Sequence, residues 1–288
     1  MWGQQGFTWK KPFLDSLARD FGAGMFTVDY IGARAAARRA VNAWVSRRTA
    51  GTITDLIDST TFDELTRLTL VNAAHLKAPW ASAFERSTTR PAPFTRADGS
   101  VVHPPTMTTE QGLRYRRDTD WEAVDLPYAG NQLAMTVVLP RPGRFADVQR
   151  GLTGASLSKM MVGHPSQQRD IRLSLPRWTM RTRAPLVEIL PGMGMATAFD
   201  AHTADLSGMT STWQLHISAV EHQAWIAVDE QGTEASAATA VVVEGTAARV
   251  PLTLAVDRPY LFILQDTATS TPLFIGRVSD PSAGASPA

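Results

Sequence analysis

The segment from Val228 to Val243 holds the most informative pattern of residue types in the sequence. It begins as a strand, breaks at Glu230-Gln-Gly232, and continues without proline, without a bulky aromatic side chain and with few charges. With a period of two, one face is uncharged and consists of Thr233, Ala235, Ala237, Thr239, Val241 and Val243. Such a segment can enter a narrow gap in a β-sheet with that face buried, and its composition is also typical of an irregular surface loop.

Side chains that would build a catalytic or metal site do not occur in the required patterns. The chain has no cysteine and no Gly-x-Ser-x-Gly sequence, which excludes disulfides, thiolate metal sites and a common hydrolase nucleophile. Its six histidines lack the His-Glu-x-x-His spacing, and Gly192-Met-Gly194 lacks the third glycine of a dinucleotide-binding loop. We therefore expect neither an enzyme nor a bound cofactor or metal.

The charge balance and the apolar segments argue against two further classes of partner, nucleic acids and membranes. The 28 basic and 27 acidic residues give a formal net charge of +1, so no surplus of positive charge indicates a nucleic-acid partner. No apolar run approaches the roughly 20 residues that a membrane span needs. Residues 1–7 lack the basic and apolar regions of a signal peptide. The sequence therefore does not determine where the protein is located, and an extracellular location is one of the alternatives.

Apolar spacing predicts a mixed chain that is rich in strands in its second half. Helices are predicted over residues 13–21, 35–45, 146–161 and 184–190. Strands are predicted over residues 68–76, 133–140, 225–228, 252–256, 261–264 and 273–275. Because no linker separates these elements, we predict an α+β fold with one domain over residues 1–281, followed by a flexible tail over residues 282–288.

Several segments resemble the serpins in the order that this family has them. Glu230-Gln-Gly-Thr-Glu-Ala-Ser-Ala-Ala238 resembles the proximal hinge of the inhibitory members. Leu70-Val-Asn-Ala-Ala-His-Leu-Lys-Ala-Pro-Trp80 resembles the family's central strand and breach, and Val124-Asp-Leu-Pro-Tyr128 matches another block. Asp257-Arg-Pro-Tyr-Leu-Phe262 and Leu273-Phe-Ile-Gly-Arg-Val278 resemble the C-terminal signature. The matches run from about Met1 to Pro281 and together are highly specific.

The resemblance implies the serpin architecture, which has large mixed and antiparallel β-sheets, surrounding helices and an exposed reactive loop. Residues 1–7 align inside a strand of the main sheet, so the first helices of the family are expected to be missing. We therefore expect an N-terminally truncated member that is unstable alone and inhibits poorly. The alanine and arginine content is typical of a GC-rich genome, and we expect a bacterial source.

The resemblance also implies a mechanism and its residues. The chain would be a monomeric suicide substrate for a serine or cysteine protease, which cleaves a loop over about residues 230–250 that then inserts into the main sheet. The hinge residues would be Glu230, Gly232, Thr233, Glu234, Ala235, Ser236, Ala237 and Ala238. The residues that close the opening of the sheet at the shutter and the breach would be Asn72, Trp80 and His222. No cofactor, nucleic acid or membrane takes part.

Counting along the loop from the hinge glutamate, as in the family, places the cleaved bond between Thr246 and Ala247. A small residue there suits an elastase-like or subtilisin-like protease. Arg249 is the alternative, since arginine suits a trypsin-like protease, although it requires an unusually long loop. The alternative function is a non-inhibitory or inactive truncated serpin that proteases cleave as a simple substrate.

Overall fold

The computed structural model describes residues 1–161, 166–211, 214–233 and 250–283. The chain forms two compact units. The first unit combines Met1–His75 with Arg181–Trp225, and the second combines Leu76–Met180 with Ile226–Ala288. That residues 1–281 form one domain stays a prediction, and most of the predicted tail lies outside the described residues.

The first unit consists of a sheet and several helices, and two strands run on from it into the second unit. Its helices are α1 (Lys11–Phe21), α2 (Arg34–Arg48), α5 (Leu186–Leu190) and α6 (Ala196–Phe199), with a π-helical turn at Pro191–Met195. Its strands are β1 (Trp2–Gln4), β2 (Phe26–Val28) and β3 (Leu68–His75). The strands that contribute residues to both units are β12 (Trp178–Pro185) and β13 (Ala219–Asp229).

Helix α1 has sequence signals at both of its ends. A proline stands in its first turn, where its missing N–H is not needed, and Gly22 follows in the left-handed conformation at φ 56°. In the sheet, β1 pairs parallel with β2 and antiparallel with β3, and β3 pairs parallel with β13. One cluster of buried side chains in this unit consists of Trp2, Val28, Tyr30, Ala37, Val41, Val45, Ile53, Leu56, Ile57 and Phe62. Helix α2 thus packs its apolar side on this core.

The second unit is dominated by strands. Its strands are β4 (Ala78–Pro79), β5 (Arg90–Pro91), β6 (Phe94–Thr95), β7 (Val101–Val102), β8 (Pro105–Arg117), β9 (Trp121–Pro127), β10 (Leu133–Pro140), β11 (Gln167–Pro176), β14 (Gly232–Thr233), β15 (Leu252–Ala255), β16 (Tyr260–Asp266) and β17 (Pro272–Val278). Its helices are α3 (Phe145–Arg150) and α4 (Gly154–Met160), with a 3₁₀ turn at Arg86–Thr88. The eight-stranded sheet of this unit has the order β15-β11-β8-β9-β10-β16-β17, and β5 pairs with β8.

Alternation along the strands builds the core of the second unit. On β10, Met135, Val137 and Leu139 face the same side and join one large buried cluster. Val138 faces the opposite side, where it packs in a smaller cluster with Val148 of α3 and Met160 of α4. Both faces of β10 are therefore buried, which explains its nearly continuous apolar sequence.

Most predicted elements occur close to their predicted bounds, and the exceptions have local causes. The single helix predicted over residues 146–161 is divided into α3 and α4, because Thr153 caps α4 in a reciprocal pair of hydrogen bonds with Ser156. The helix predicted from residue 184 begins only at Leu186, since β12 continues to Pro185. Strand β8, over Pro105–Arg117, was not among the predicted strands.

No helix in the described part of the chain is long and apolar enough to cross a membrane. Within the same residues, no three His, Asp or Glu side chains cluster in a way that would hold a metal ion.

Candidate functional site

The predicted hinge begins with a tight turn that a side chain stabilises. The Asp229 carboxylate, at the end of β13, accepts hydrogen bonds from the backbone N–H groups of Gln231 at 2.8 Å and Gly232 at 3.3 Å. An aspartate that binds the backbone two and three residues on is a common turn former. The chain therefore reverses at Glu230 and Gln231, and Val228 of β13 pairs antiparallel with Thr233 of β14.

Strand β14 lies between two other strands, although it is only two residues long. It pairs with β13 on one side and with β4 on the other, where Gly232 faces Pro79 and Thr233 faces Ala78. Gly232 has φ 148°, and a Cβ there would collide with the Ala78 carbonyl oxygen and lie 2.7 Å from Pro79 Cα. Only glycine fits this conformation and this close approach of two backbones.

Thr233 is fully buried and reaches one specific partner. Its hydroxyl lies 2.6 Å from that of Tyr128, in a hydrogen bond that either group can donate. Burial raises the pKa of the Tyr128 phenol well above its ordinary value, so this hydroxyl stays protonated. The Tyr128 ring stacks on Trp80 at a centroid distance of 4.5 Å, and the Trp80 indole N–H donates to the Asp229 carbonyl at 2.9 Å. The hinge is thus packed against an aromatic pair.

Glu230 is a buried carboxylate at the turn itself. One of its oxygens accepts a hydrogen bond from the Thr89 hydroxyl at 2.7 Å, and the other lies 3.7 Å from the Arg177 guanidinium. Its backbone carbonyl accepts from Phe84 N–H at 2.8 Å. A buried carboxylate requires such partners, because removing a charge from water is costly. Glu230 therefore ties the hinge to the segment around Thr89 and to the end of β11.

Asn72 and His222 are brought side by side in the first unit. They are register partners on the parallel strands β3 and β13, so their side chains point to the same face of the sheet. Asn72 is exposed and His222 is partly buried, and burial lowers the pKa of the imidazole. Within the described residues, no hydrogen bond joins these two side chains. Trp80, whose segment was predicted to form the breach, contacts the hinge turn through its indole N–H.

The other predicted site residues lie outside the described part of the chain. They are Glu234, Ala235, Ser236, Ala237, Ala238, Thr246, Ala247 and Arg249.

Sequence reasoning missed three residues that contact the hinge, namely Thr89, Tyr128 and Arg177. Tyr128 ends a block that matched the serpins, but nothing in that block indicated its partner. Arg177 and Thr89 lie outside all the segments that resemble the family in the sequence analysis above. All three meet the hinge across long sequence separations, which only the tertiary fold reveals.

Comparisons with known proteins agree with this geometry. A family model described as serpin (serine protease inhibitor) matches residues 1–281. An uncharacterized serpin-like protein of Thermococcus kodakarensis is 33% identical over 99% of this chain, which spans 66% of that relative. The leukocyte elastase inhibitor of Xenopus laevis is also 33% identical, over 98% of this chain and 76% of its own length.

The structure of a highly specific serpin, Serpin48 of the insect Tenebrio molitor, superposes with a TM-score of 0.85 at 27% identity. The superposition covers 97% of this chain and 74% of the insect protein. The prediction of a serpin fold with mixed sheets is therefore confirmed. The family model is described as serine protease inhibitor, and the Xenopus relative is named as an inhibitor of leukocyte elastase. With the family model matching nearly its whole length, the chain belongs to the serpin family.

Proposed function

We propose that the chain inhibits serine-type proteases as a suicide substrate, with a reactive loop over about residues 230–250 that begins with the hinge at residues 230–238. The observation that carries the proposal is the position of β14. Gly232 and Thr233 pair with strands on both sides, so the first residues of the proposed hinge already lie inside a sheet. Thr233 also opens the uncharged face of the segment, which suits a buried strand.

The proposed reaction begins as ordinary proteolysis. The protease serine attacks the Thr246 carbonyl carbon, the bond to Ala247 breaks, and the amino group of Ala247 leaves with the proton from the serine. An ester then joins the protease to Thr246. If residues 234–246 next insert between β13 and β3, whose present pairing is then broken, on the order of ten more ladder hydrogen bonds form than are lost, a net gain of roughly 5–15 kcal/mol at about 0.5–1.5 kcal/mol each. That gain is comparable with the stability of a whole domain, so it can distort a bound protease before the ester is hydrolysed.

The cleaved bond sets the choice of target in this proposal. A threonine before the bond favours an elastase-like or subtilisin-like protease with a small apolar pocket, whereas cleavage after Arg249 would favour a trypsin-like protease. We further propose that the chain acts as a monomer, and an extracellular protease is a fitting target. A cysteine protease would react in the same way through a thioester.

The test is to incubate the chain with proteases of all three specificities and to analyse the products by denaturing gel and mass spectrometry. The expected result is a denaturant-stable complex with the subtilisin-like or elastase-like enzyme, linked through Thr246. The variant Thr246→Arg should shift complex formation to the trypsin-like enzyme, and Arg249→Ala should leave it unchanged. Cleavage near Thr246 without any complex would refute inhibition and support a serpin that is cleaved as a simple substrate.

A further inference from the structure

The strand β14 is held by very few interactions apart from its backbone pairing. It has only two residues, and Gly232 has no side chain with which to contribute. Among the described residues, the only hydrogen bond of the Thr233 side chain goes to Tyr128. The Tyr128 hydroxyl likewise has no second partner in the described part of the molecule. This hydrogen bond therefore contributes a large share of the free-energy difference between Thr233 inserted in the sheet and Thr233 released from it.

Tyr128 is itself fixed in place before it meets the hinge. Its backbone N–H donates to the Leu133 carbonyl at 3.0 Å at the start of β10, and its ring stacks on Trp80. Trp80 forms an isolated antiparallel bridge with Tyr128 and donates its own backbone N–H to Gln231 at 2.9 Å. Only 1% of Tyr128 is exposed. A side chain so constrained loses little conformational entropy when it binds Thr233.

We propose that Tyr128 is a positioning residue for the hinge, whose hydroxyl holds Thr233 in the sheet and so fixes the point from which the loop inserts. Its part in insertion rests on the proposed function, whereas its hold on Thr233 does not. If Thr233 is released, insertion must first return it to the sheet, and the ester has longer to be hydrolysed. Loss of the Tyr128 hydroxyl therefore shifts the reaction from complex to cleaved, uncomplexed inhibitor.

The hold on Thr233 is tested on the intact 288-residue chain without a protease, by hydrogen exchange at the amides of Gly232 and Thr233. The variants are Tyr128→Phe, Thr233→Val and the pair together. Each single change leaves one buried hydroxyl without a partner and should speed exchange about five- to ten-fold. The double variant buries no unpaired hydroxyl, so its exchange should return to within about two-fold of the wild type.

The matched control is Tyr30→Phe, which removes another buried tyrosine hydroxyl that bonds a threonine, Thr69, in the first unit. It should lower the melting temperature and leave the exchange of the hinge amides unchanged. The proposal is overturned if Tyr128→Phe behaves like this control, or if the two single effects simply add in the double variant. Thr233→Val keeps the test decisive if Tyr128→Phe fails to fold.

The consequence for inhibition is measured separately, as the ratio of complex to cleaved chain with a protease that the wild type inhibits. Tyr128→Phe should lower this ratio several-fold without moving the cleaved bond, and an unchanged ratio would refute the role in insertion. If the wild type forms no complex with any protease, the proposed function fails, and the exchange experiment still decides whether Tyr128 holds Thr233.

Discussion

The two units each bury a tyrosine hydroxyl against a threonine hydroxyl, and the two pairs differ in what surrounds the threonine. In the first unit, Tyr30 donates to Thr69 at 3.0 Å. Thr69 lies on the eight-residue strand β3 and pairs with both β1 and β13. In the second unit, Tyr128 meets Thr233 at 2.6 Å on the two-residue strand β14. The hydrogen bond of Tyr30 therefore adds to a strand, β3, that eight residues of backbone pairing already stabilise. The hydrogen bond of Tyr128 is a main source of stability for the two-residue strand β14.

The largest expected effect comes from a buried charge at each threonine. Thr69→Glu should destabilise the chain by more than about 3 kcal/mol, because β3 cannot leave its sheet without unfolding the unit. Thr233→Glu should cost less than about 1 kcal/mol, because expelling β14 returns the charge to water. It should nevertheless reduce complex formation at least ten-fold. Urea unfolding and the protease assay measure these effects, and equal destabilisation by the two changes would contradict the comparison.

A smaller effect on stability is expected from removing the cation of an ion pair, because the carboxylate of the pair is buried in the second unit and exposed in the first. Arg177, whose side chain is 44% exposed, approaches the fully buried Glu230, whereas Lys11 and Asp15 pair at 2.7 Å on the surface of α1. Arg177→Met should lower the free energy of unfolding by about 1–2 kcal/mol, because it leaves a buried carboxylate without its cation.

Two further variants separate this effect from lost packing. Glu230→Gln in the Arg177→Met background should restore most of the loss, and Lys11→Met should change stability by no more than about 0.5 kcal/mol. If Lys11→Met costs as much as Arg177→Met, burial is not what makes the hinge pair important.

The smallest effect concerns His222 on β13. Burial lowers the pKa of its imidazole below the ordinary value of 6.5. Below pH 6.5 the unfolded chain binds this proton more readily than the folded chain, so acidification from pH 7.5 to 5.5 reduces stability. His222→Gln should remove that part of the pH dependence while leaving stability at pH 7.5 nearly unchanged. Thermal melts at both pH values measure it. Identical pH dependence in the two proteins would show that the imidazole titrates normally in the folded chain.

Much of the fold was predictable from local patterns. Strand β10 has the predicted bounds, since an apolar run that ends in proline defines a strand by itself. The end of the strand at the hinge was also predicted, from the break at Glu230-Gln-Gly232, whereas the part that Asp229 plays in the turn was not. The long strand β8 was not predicted, because its alternation of polar and apolar residues is irregular. Its length depends on pairing with β9 and β11.

The sequence by itself determined the family, and it predicted the position of the hinge and the uncharged face that Thr233 opens, since these depend on residue types along the chain. Only the tertiary structure decided which side chains hold that hinge. Thr89, Tyr128 and Arg177 lie far from it in the chain, and their hydroxyl and guanidinium groups become partners of Glu230 and Thr233 only when the strands pack together. Hydrogen bonds and buried charges depend on distances of a few ångströms, which sequence separation does not predict.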